Sequence, residues 1–293
     1  MFSGAMVALI TPFQDGEVDY ETLSELVAFQ IENGIDALVP VGTTGESPTL
    51  SHIEHKKVME RVVQEAAGQV PVIAGAGSNS TAEAIEFTAH AKNIGADATL
   101  QVCPYYNKPT QQGLYEHFKA IAEEVDLPIV LYNIPGRCGG SGLTPETVAK
   151  LAELENIVAI KEATGSLDMA SAIAASCDLT ILSGDDSLTL PLASVGGKGV
   201  ISVVANIVPT DVKAMTDLIL EGDFVQARKW HLKLYELSKN LLSLSTNPIP
   251  IKAAMAMLDL ASDELRLPMT PLEDAQAQIL RQALKAYGLL KSS

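Results

Sequence analysis

The sequence predicts an α/β fold, a closed (β/α)8 barrel with a small C-terminal helical domain, and three observations lead to it. Eight short apolar runs of β-type composition recur along the chain, at 5–10, 36–41, 70–74, 98–103, 128–132, 157–161, 179–183 and 199–203. A helical pattern follows each run, and the units repeat at roughly 25–35 residues, as in a TIM barrel. After Val208 the strand signals stop. A doubly wound open sheet is the alternative, although it would seldom need eight such units.

The segments between the runs carry helix start and stop signals. In the first helix four apolar side chains share one face and Gly34 ends the pattern; they are Leu23, Leu26, Val27 and Ile31. Residues 51–54 and 80–83 both read Ser-x-x-Glu, which predicts two capping boxes. Thr144 and Pro145 predict a helix cap followed by the first helical residue.

The C-terminal part of the chain predicts helices only, at 211–220, 223–244, 248–260 and 271–289. The last of them is preceded by a third capping-box pattern, at 270–273. We therefore expect two domains, a catalytic barrel at 1–222 and a helical domain at 223–293. The second is within the lower range of domain sizes.

Composition and charge exclude several classes of partner. The chain has 293 residues, 47% of them hydrophobic, with 20 Lys and Arg against 36 Asp and Glu and a net charge of −16. Nucleic acid and anionic membrane surfaces both require a basic footprint, so neither is an expected partner. An anionic substrate would be repelled at long range, and its site must therefore carry local cations.

Cysteine usage points to a reducing compartment, and hydropathy argues against a membrane span. Cys103, Cys138 and Cys177 are scattered, without a CxxC pair, which argues against a disulfide framework and a zinc site. No His, Asp or Glu cluster has metal-ligand spacing. No apolar run approaches the ~20 residues of a membrane span. The N-terminal stretch lacks a basic region and stops at Pro12, which predicts a first strand rather than a signal peptide. We expect a cytoplasmic protein.

The sixth run ends on Lys161 and is the main candidate for chemistry. Strand alternation puts Ala159 and Lys161 on one face, and the small alanine leaves room for the lysine stem inside the barrel. Burial disfavours the ammonium form and makes a lysine amine a usable nucleophile. We therefore hypothesise a Schiff base between Lys161 and a carbonyl substrate. The competing interpretation is a solvated charge or an ion pair with Glu162.

Barrel enzymes work at the C-terminal ends of their strands, and three more ends carry suitable residues. The loop 41–46 has two glycines and two threonine hydroxyls, which can hold a small carboxylate, although a single loop of this kind is more often a plain Gly turn. Tyr132 ends the fifth run and can point into the barrel mouth beside Lys161 as a proton carrier. Arg137 follows in a Gly/Pro-rich loop and can pair with a carboxylate. Alone, Tyr132 would be core and Arg137 solvated.

These motifs together resemble the dihydrodipicolinate synthase family. The resemblance runs from Phe2 to the C-terminus and rests on residues 41–46, 104–107, 132–137, 160–165, 183–186, 199–203 and 247–250. It implies condensation of pyruvate with L-aspartate 4-semialdehyde to 4-hydroxy-tetrahydrodipicolinate, the first committed step of diaminopimelate and lysine biosynthesis. It also implies no metal, no organic cofactor and a homotetramer built from two tight dimers.

The resemblance implies a role for each catalytic residue. Lys161 bonds pyruvate as an imine. Tyr132, Thr43 and Tyr106 form a proton relay, and Tyr106 reaches in from a neighbouring subunit. Each of these residue types can make or pass on a hydrogen bond to a forming carbinolamine.

The resemblance also assigns the substrate contacts. Thr44 and nearby backbone hold the pyruvate carboxylate, Arg137 holds the carboxylate of the semialdehyde, and Gly184 and Ile201 border the pocket. Cys138 stands where the family usually has threonine. Because a thiol is a poorer hydrogen-bond partner, the support of Arg137 is expected to differ.

Enzymes of this type also bind L-lysine at the dimer interface as an inhibitor. The corresponding positions are Ser47, Pro48, His52, His55, Gly77, Asn79, Glu83 and Tyr105. Pro48 departs from the small residue common there. In the alternative, Glu83 only caps a helix and the histidines are solvated.

Two rival functions remain open. Another pyruvate-imine lyase, of the N-acetylneuraminate lyase type, shares the Gly-Thr-Thr-Gly-Glu loop, the tyrosine and the lysine. Arg137 argues against it, because a long sugar acid needs polar groups at that loop and a short semialdehyde acid needs a cation. A non-catalytic amino-acid-binding barrel is the second rival, and it would need no proton relay.

Overall fold

The computed structural model describes residues 2–140 and 142–291 and contains the predicted barrel. Its eight parallel strands are β1 (Gly4–Ala8), β2 (Ala37–Val39), β3 (Ile73–Gly75), β4 (Ala98–Val102), β5 (Ile129–Asn133), β6 (Ile157–Glu162), β7 (Thr180–Ser183) and β8 (Gly199–Ser202). A short antiparallel hairpin, Phe13–Gln14 with Glu17–Val18, follows β1. The fold class is therefore confirmed.

Eleven α-helices are found in the described ranges. They are α1 (Tyr20–Glu32), α2 (His52–Ala66), α3 (Thr81–Asn93), α4 (Gln111–Glu124), α5 (Pro145–Leu151), α6 (Leu167–Ser176), α7 (Thr189–Ala193), α8 (Pro209–Glu221), α9 (Phe224–Ser243), α10 (Ile249–Met257) and α11 (Asp274–Tyr287).

The strands form one sheet that closes on itself. The hydrogen-bonded order is β2, β1, β8, β7, β6, β5, β4, β3. A parallel bridge between Leu38 and Val72 joins the two ends of that order. Because all strands are parallel, their C-terminal ends meet at one rim, where the candidate residues of β5 to β8 converge.

Buried side chains of the barrel interior form one contiguous cluster. The cluster contains Met6, Ala8, Ala37, Val39, Ile73, Ala98, Leu100, Val130, Tyr132, Ala159, Leu182 and Ile201. The alternate residues point outward to the helices, as a period of two requires. In β6 the interior position below Lys161 is therefore the small Ala159, as expected from the alternation.

The strands and helix ends differ from prediction by a few residues. The second strand stops at Val39 rather than at residue 41, because Val41 turns the chain with a φ of 50°. The third begins at Ile73, since Pro71 has no N–H to give to a ladder. The last helix begins at Asp274 rather than at residue 271.

One predicted capping box is present and two are not. Ser51 and Glu54 cap each other's backbone N–H groups at the start of α2. Ser80 makes no side-chain cap, and its N–H donates to Ser78 Oγ, while the Glu83 side chain contacts Ser78 and His52 instead. The pattern at 270–273 was also wrong, since the box at α11 runs from Glu273 to Gln276. Thr144 caps α5 as predicted.

The helices after residue 222 pack on the barrel. Ala227, Leu234 and Leu241 of α9 belong to the same buried cluster as Val7 of β1. Burial of such apolar surface is the main stabilising term of the contact. We propose the boundary between residues 222 and 223 as the division between barrel and helical domain. Within the described residues, no helix combines the length and apolarity needed to cross a bilayer.

Candidate active site

The structure places Lys161 and Tyr132 side by side at the C-terminal rim of the barrel. The two residues are register partners in the β5–β6 pairing. Lys161 Nζ lies 4.3 Å from the centroid of the Tyr132 ring. Only 5% of the Lys161 surface is exposed. Hydrogen bonds hold the neighbouring Glu162 on the outer side, with Asn133 Nδ2 at 3.3 Å and the Thr164 N–H at 2.7 Å. The competing interpretation, an ion pair between Lys161 and Glu162, is therefore not the arrangement found.

The pKa of Lys161 is lowered to about 8, mainly by burial and in smaller part by Arg137, while Asp185 and Asp186 act in the opposite direction. An ordinary lysine with a pKa near ~10.4 is neutral in only about one molecule in 2,500 at pH 7. At a pKa of about 8, roughly one molecule in ten carries the neutral amine. The site therefore supplies a nucleophile at neutral pH.

Gly184 makes the room that the Lys161 stem occupies. A Cβ at this position would lie 2.5 Å from Ala163 Cβ and 3.2 Å from Lys161 Cε. The Gly184 N–H donates to the Glu162 carbonyl oxygen at 2.8 Å, which ties the turn after β7 to the end of β6. Any side chain at 184 would displace the lysine or that turn.

Tyr132 keeps its proton at neutral pH. Burial raises the pKa of its phenol to about 12, although Arg137 and a hydrogen bond with the Thr43 side chain pull the pKa down. A neutral phenol hydrogen-bonded to a hydroxyl can both donate and accept a proton during a reaction on the adjacent amine. Tyr132 and Thr43 are thus connected as a relay requires.

The loop that carries Thr43 is held in an unusual conformation. Val41, a β-branched residue, has a φ of 50°, and Glu46 at the other end has a φ of 53°. A Cβ on Gly75 would lie 2.4 Å from the Val41 carbonyl oxygen, so only glycine permits this close backbone approach. Strained backbone of this kind is found mostly where function fixes a geometry.

The C-terminal part of the chain contributes Asn247, which the residue patterns did not single out. Its Nδ2 donates to Thr44 Oγ1 at 2.9 Å. Its carbonyl oxygen accepts from Arg137 Nη2 at 3.2 Å, and Thr246 Oγ1 accepts from the same nitrogen at 3.4 Å. Asn247 therefore links two residues that the sequence assigned to two different carboxylates. The only signal was the segment 247–250, which carried part of the family resemblance.

Cys138 does not support Arg137. Its buried thiol donates to the Cys103 carbonyl oxygen at 3.0 Å, and burial raises its pKa to about 11. The hydrogen bonds of the Arg137 guanidinium go to Thr246 and to the Asn247 carbonyl oxygen instead.

A cavity of about 200 Å³ opens beside these residues. Its walls include Thr43, Tyr132 and Arg137 together with Ser47 and Tyr105, so catalytic and effector candidates border one space. A cavity of this size fits a three- or four-carbon acid. The polar groups of the cavity and the Arg137 cation can attract an anionic ligand locally, although the negative net charge of the chain repels it at long range.

Five of the eight predicted catalytic and substrate-binding residues are not part of the cavity wall, namely Lys161, Thr44, Gly184, Ile201 and Tyr106. Ile201 is fully buried in the cluster of the barrel interior. Tyr106 is 89% exposed with a φ of 72°, on the outside of the molecule. Within one chain, therefore, the relay contains Tyr132 and Thr43 only.

The predicted effector residues form one cluster between α2, α3 and the loop after β4. His52 Nε2 lies 2.7 Å from Glu83 Oε1, and His55 Nε2 lies 2.7 Å from the Gly75 carbonyl oxygen. Phe87 packs between the two imidazoles, and the sequence reasoning missed it. The remaining contacts are Ser47 Oγ to His55 Nδ1 at 3.5 Å and Asn79 Nδ2 to the Tyr105 carbonyl at 3.1 Å.

Gly77 and Pro48 complete this cluster. A Cβ at Gly77 would lie 2.3 Å from the Val102 nitrogen, so the backbone at Gly77 packs directly against the backbone of β4. Pro48 lines the cavity and is partly open to solvent. Among the described residues, no group of three or more His, Cys, Asp or Glu side chains could hold a metal ion.

Comparison with known proteins gives one consistent result. A family model described as "Dihydrodipicolinate synthetase family" matches residues 1–287. A 4-hydroxy-tetrahydrodipicolinate synthase of Geotalea uraniireducens (strain Rf4) is 56% identical over 292 residues, which are 99% of this chain and 100% of that protein.

Solved structures agree with the sequence relatives. The crystal structure of dihydrodipicolinate synthase from Aquifex aeolicus has a TM-score of 0.97 at 53% identity, covering 99% of this chain and 100% of that one. The structure of the Cyanidioschyzon merolae enzyme with lysine bound has a TM-score of 0.95 at 45% identity, covering 99% of both chains. Matches of this length and identity show that the chain belongs to the dihydrodipicolinate synthetase family.

Proposed function

We propose that Lys161 attacks pyruvate and holds it as an imine in the reaction that this protein catalyses. That reaction is the condensation of pyruvate with L-aspartate 4-semialdehyde to 4-hydroxy-tetrahydrodipicolinate, a lyase reaction of lysine and diaminopimelate biosynthesis. The observation that carries the proposal is the buried Lys161 amine at the barrel rim, 4.3 Å from the Tyr132 ring.

Imine formation uses the neutral amine and the relay. The Lys161 lone pair bonds to the carbonyl carbon of pyruvate, and the carbonyl oxygen takes a proton from the Tyr132–Thr43 pair. The nitrogen gives up one of its protons, which the same pair passes to the oxygen, and loss of this oxygen as water leaves a protonated imine. Thr44 and the N–H groups of the loop 41–46 hold the pyruvate carboxylate, since hydroxyls and free backbone amides suit a small anion.

Carbon–carbon bond formation follows on the same lysine. The imine draws electrons from the methyl carbon, which loses a proton and becomes an enamine. This carbon bonds to the aldehyde carbon of the semialdehyde, whose oxygen takes up a proton. The amino group of the former semialdehyde then displaces Lys161 from the imine carbon and closes the ring. Arg137 holds the second carboxylate throughout, while Gly184 leaves room for the Lys161 stem and Ile201 packs in the barrel interior.

Trapping with borohydride tests the covalent role. Pyruvate with borohydride is expected to leave a reduced three-carbon adduct on Lys161, detected by intact mass and peptide mapping. The rate of trapping should rise with pH through a midpoint near 8, because the neutral amine is the reacting form and the pKa of Lys161 is about 8.

The control is the same reaction without pyruvate, which should leave the chain unmodified. An unmodified chain in the presence of pyruvate contradicts the imine role. A trapping rate that is still rising steeply at pH 10 contradicts a lowered lysine pKa, while leaving the covalent role intact.

We also propose a homotetramer, a dimer of dimers, in which Tyr106 completes the relay of a neighbouring subunit. Its support is the exposure of this tyrosine, 89%, in a chain whose own relay contains only Thr43 and Tyr132. Sedimentation of the full chain measures the assembly directly. A cytoplasmic location is proposed as well, and it rests on the three free cysteines.

We propose that L-lysine binds the cluster around His52, His55 and Glu83 and inhibits the enzyme. The support is a carboxylate beside two imidazoles next to the cavity, which can bind an ammonium group, together with the lysine-bound relative. The other contacts would come from Ser47, Pro48, Gly77, Asn79 and Tyr105.

Replacing Glu83 with glutamine is expected to raise the half-inhibitory lysine concentration by about 10- to 100-fold. A charge-assisted hydrogen bond is worth about 1.5–3 kcal/mol, and the amide cannot replace the charge. Glu86→Gln on the same helix is the matched control, because Glu86 is an exposed carboxylate that pairs with Lys56. Activity measured against lysine concentration reads out both variants. Equal inhibition of the two would contradict the site.

A further inference from the structure

A buried ion pair joins the catalytic loop to the C-terminal part of the chain. Glu46 ends the loop that carries Thr43 and Thr44, and Lys252 lies on α10. The Lys252 Nζ donates to Glu46 Oε1, and the two side chains are 0% and 1% exposed. The chemistry described above uses neither group.

The remaining hydrogen-bonding capacity of this pair is also used. Lys252 Nζ donates to the Glu264 carbonyl oxygen at 2.8 Å. The Arg266 backbone N–H donates to Glu46 Oε2 at 3.3 Å. The Phe13 ring lies 4.1 Å from Lys252 Nζ, which adds a cation–π contact. Both charges are therefore fixed from several sides.

Backbone hydrogen bonds connect Glu46 to the loop that carries the threonines. The Glu46 N–H donates to the Thr43 carbonyl oxygen at 3.1 Å, and its carbonyl oxygen accepts from the Thr49 N–H at 3.0 Å. Its φ of 53° is one that residues other than glycine seldom adopt, so an outside contact must hold it. Five residues before Lys252, Asn247 holds the Thr44 hydroxyl at 2.9 Å.

A buried ion pair contributes little net free energy of folding. Desolvation of two buried charges offsets much of their attraction, and apolar residues of similar volume are often as stabilising. What a buried pair supplies is a defined geometry, which matters where a loop must place two hydroxyls within a few tenths of an ångström.

We propose that Glu46 and Lys252 are positioning residues, which set the Thr43–Thr44 loop against Lys161 for imine formation. The inference rests on the proposed roles of the two threonines. A segment outside the barrel thereby fixes the loop at two points, Thr44 through Asn247 and Glu46 through Lys252.

The test is the double variant Glu46→Gln with Lys252→Met, which removes both charges and leaves neither unpaired. The control is Asp36→Asn with Lys213→Met at the opposite end of the barrel, which removes the half-buried contacts of Lys213 with Asp36 and with Asp217, both of 2.9 Å. We measure the thermal midpoint, the pyruvate KM and the rate of borohydride trapping per trapped site.

Positioning predicts that imine formation per trapped site falls about 10- to 100-fold in the Glu46/Lys252 variant, with a raised pyruvate KM. The control should change neither quantity. A merely structural pair would lower the number of active sites and leave the rate per site and the KM unchanged. That result in the Glu46/Lys252 variant overturns the inference.

The inference can also be tested if the double variant fails to fold. If the double variant does not fold, Glu46→Asp decides, because it keeps both charges and shortens the link by one methylene. Unchanged imine formation in Glu46→Asp then overturns the inference. Failure of the proposed function is distinguishable, since in that case the unaltered protein itself forms no adduct with pyruvate.

Discussion

Replacing Lys161 with methionine is expected to lower kcat by at least about a thousandfold, because it removes the amine that we propose bonds the substrate covalently. Methionine matches the buried stem in length and should pack beside Tyr132, so folding is retained. Steady-state kinetics measure the loss, and borohydride trapping with pyruvate should leave no adduct.

The control for this prediction is Lys150→Met, since Lys150 is exposed on α5, away from the rim. It should retain full activity and full trapping at Lys161. If Lys161→Met kept more than about a tenth of the activity, the covalent mechanism would be wrong even though the fold and family assignment would remain.

Replacing Arg137 with alanine is expected to lower kcat/KM for the semialdehyde by about 100-fold, while the trapping of pyruvate changes by no more than about threefold. Removing one partner of a close charge pair costs about 2–5 kcal/mol at a binding site. Pyruvate should be little affected, because Thr44 and the loop backbone are proposed to hold its carboxylate. The two steps are measured separately, by steady-state kinetics and by trapping.

Arg137→Lys tests the geometry of this contact. Lysine keeps the charge but cannot form two parallel hydrogen bonds, nor reach Thr246 and the Asn247 carbonyl in the same way. Arg137→Lys should recover only part of the lost kcat/KM. The control is Arg228→Ala, on the exposed face of α9, which should lose no activity. Equal loss of both steps in Arg137→Ala would contradict the proposed contact between Arg137 and the semialdehyde carboxylate.

The Arg137 cation is also the feature that favours a short semialdehyde acid as substrate over the long sugar acid of an N-acetylneuraminate lyase.

Strand periodicity was sufficient for the barrel and for the neighbourhood of Lys161. Alternation in β6 placed Ala159 and Lys161 inside, and the end of β5 placed Tyr132 beside them, as the register of the two strands shows. Local signals of this kind depend on the chain's own repeat and need no knowledge of distant residues. The cap at Ser51 was predictable for the same reason.

Long-range partners were not predictable in this way. Glu83 reads as a capping residue, yet it is held by Ser78 and His52, from outside its own helix. The resemblance supplied Arg137 with a substrate role, but its anchoring by Asn247, 110 residues later, left no periodic signal. Sequence spacing says nothing of such contacts.

By itself, the sequence determined the parallel barrel, the rim at which chemistry takes place and the lysine that points into it. These follow from periods of two and of about 3.6 residues, which each segment carries within itself. Only the tertiary structure decided how the amine is buried, which groups hold the Thr43–Thr44 loop, and that Glu46 and Lys252 pair across 206 residues. Burial and electrostatics depend on what packs against a residue, and that is fixed only when distant segments of the chain meet.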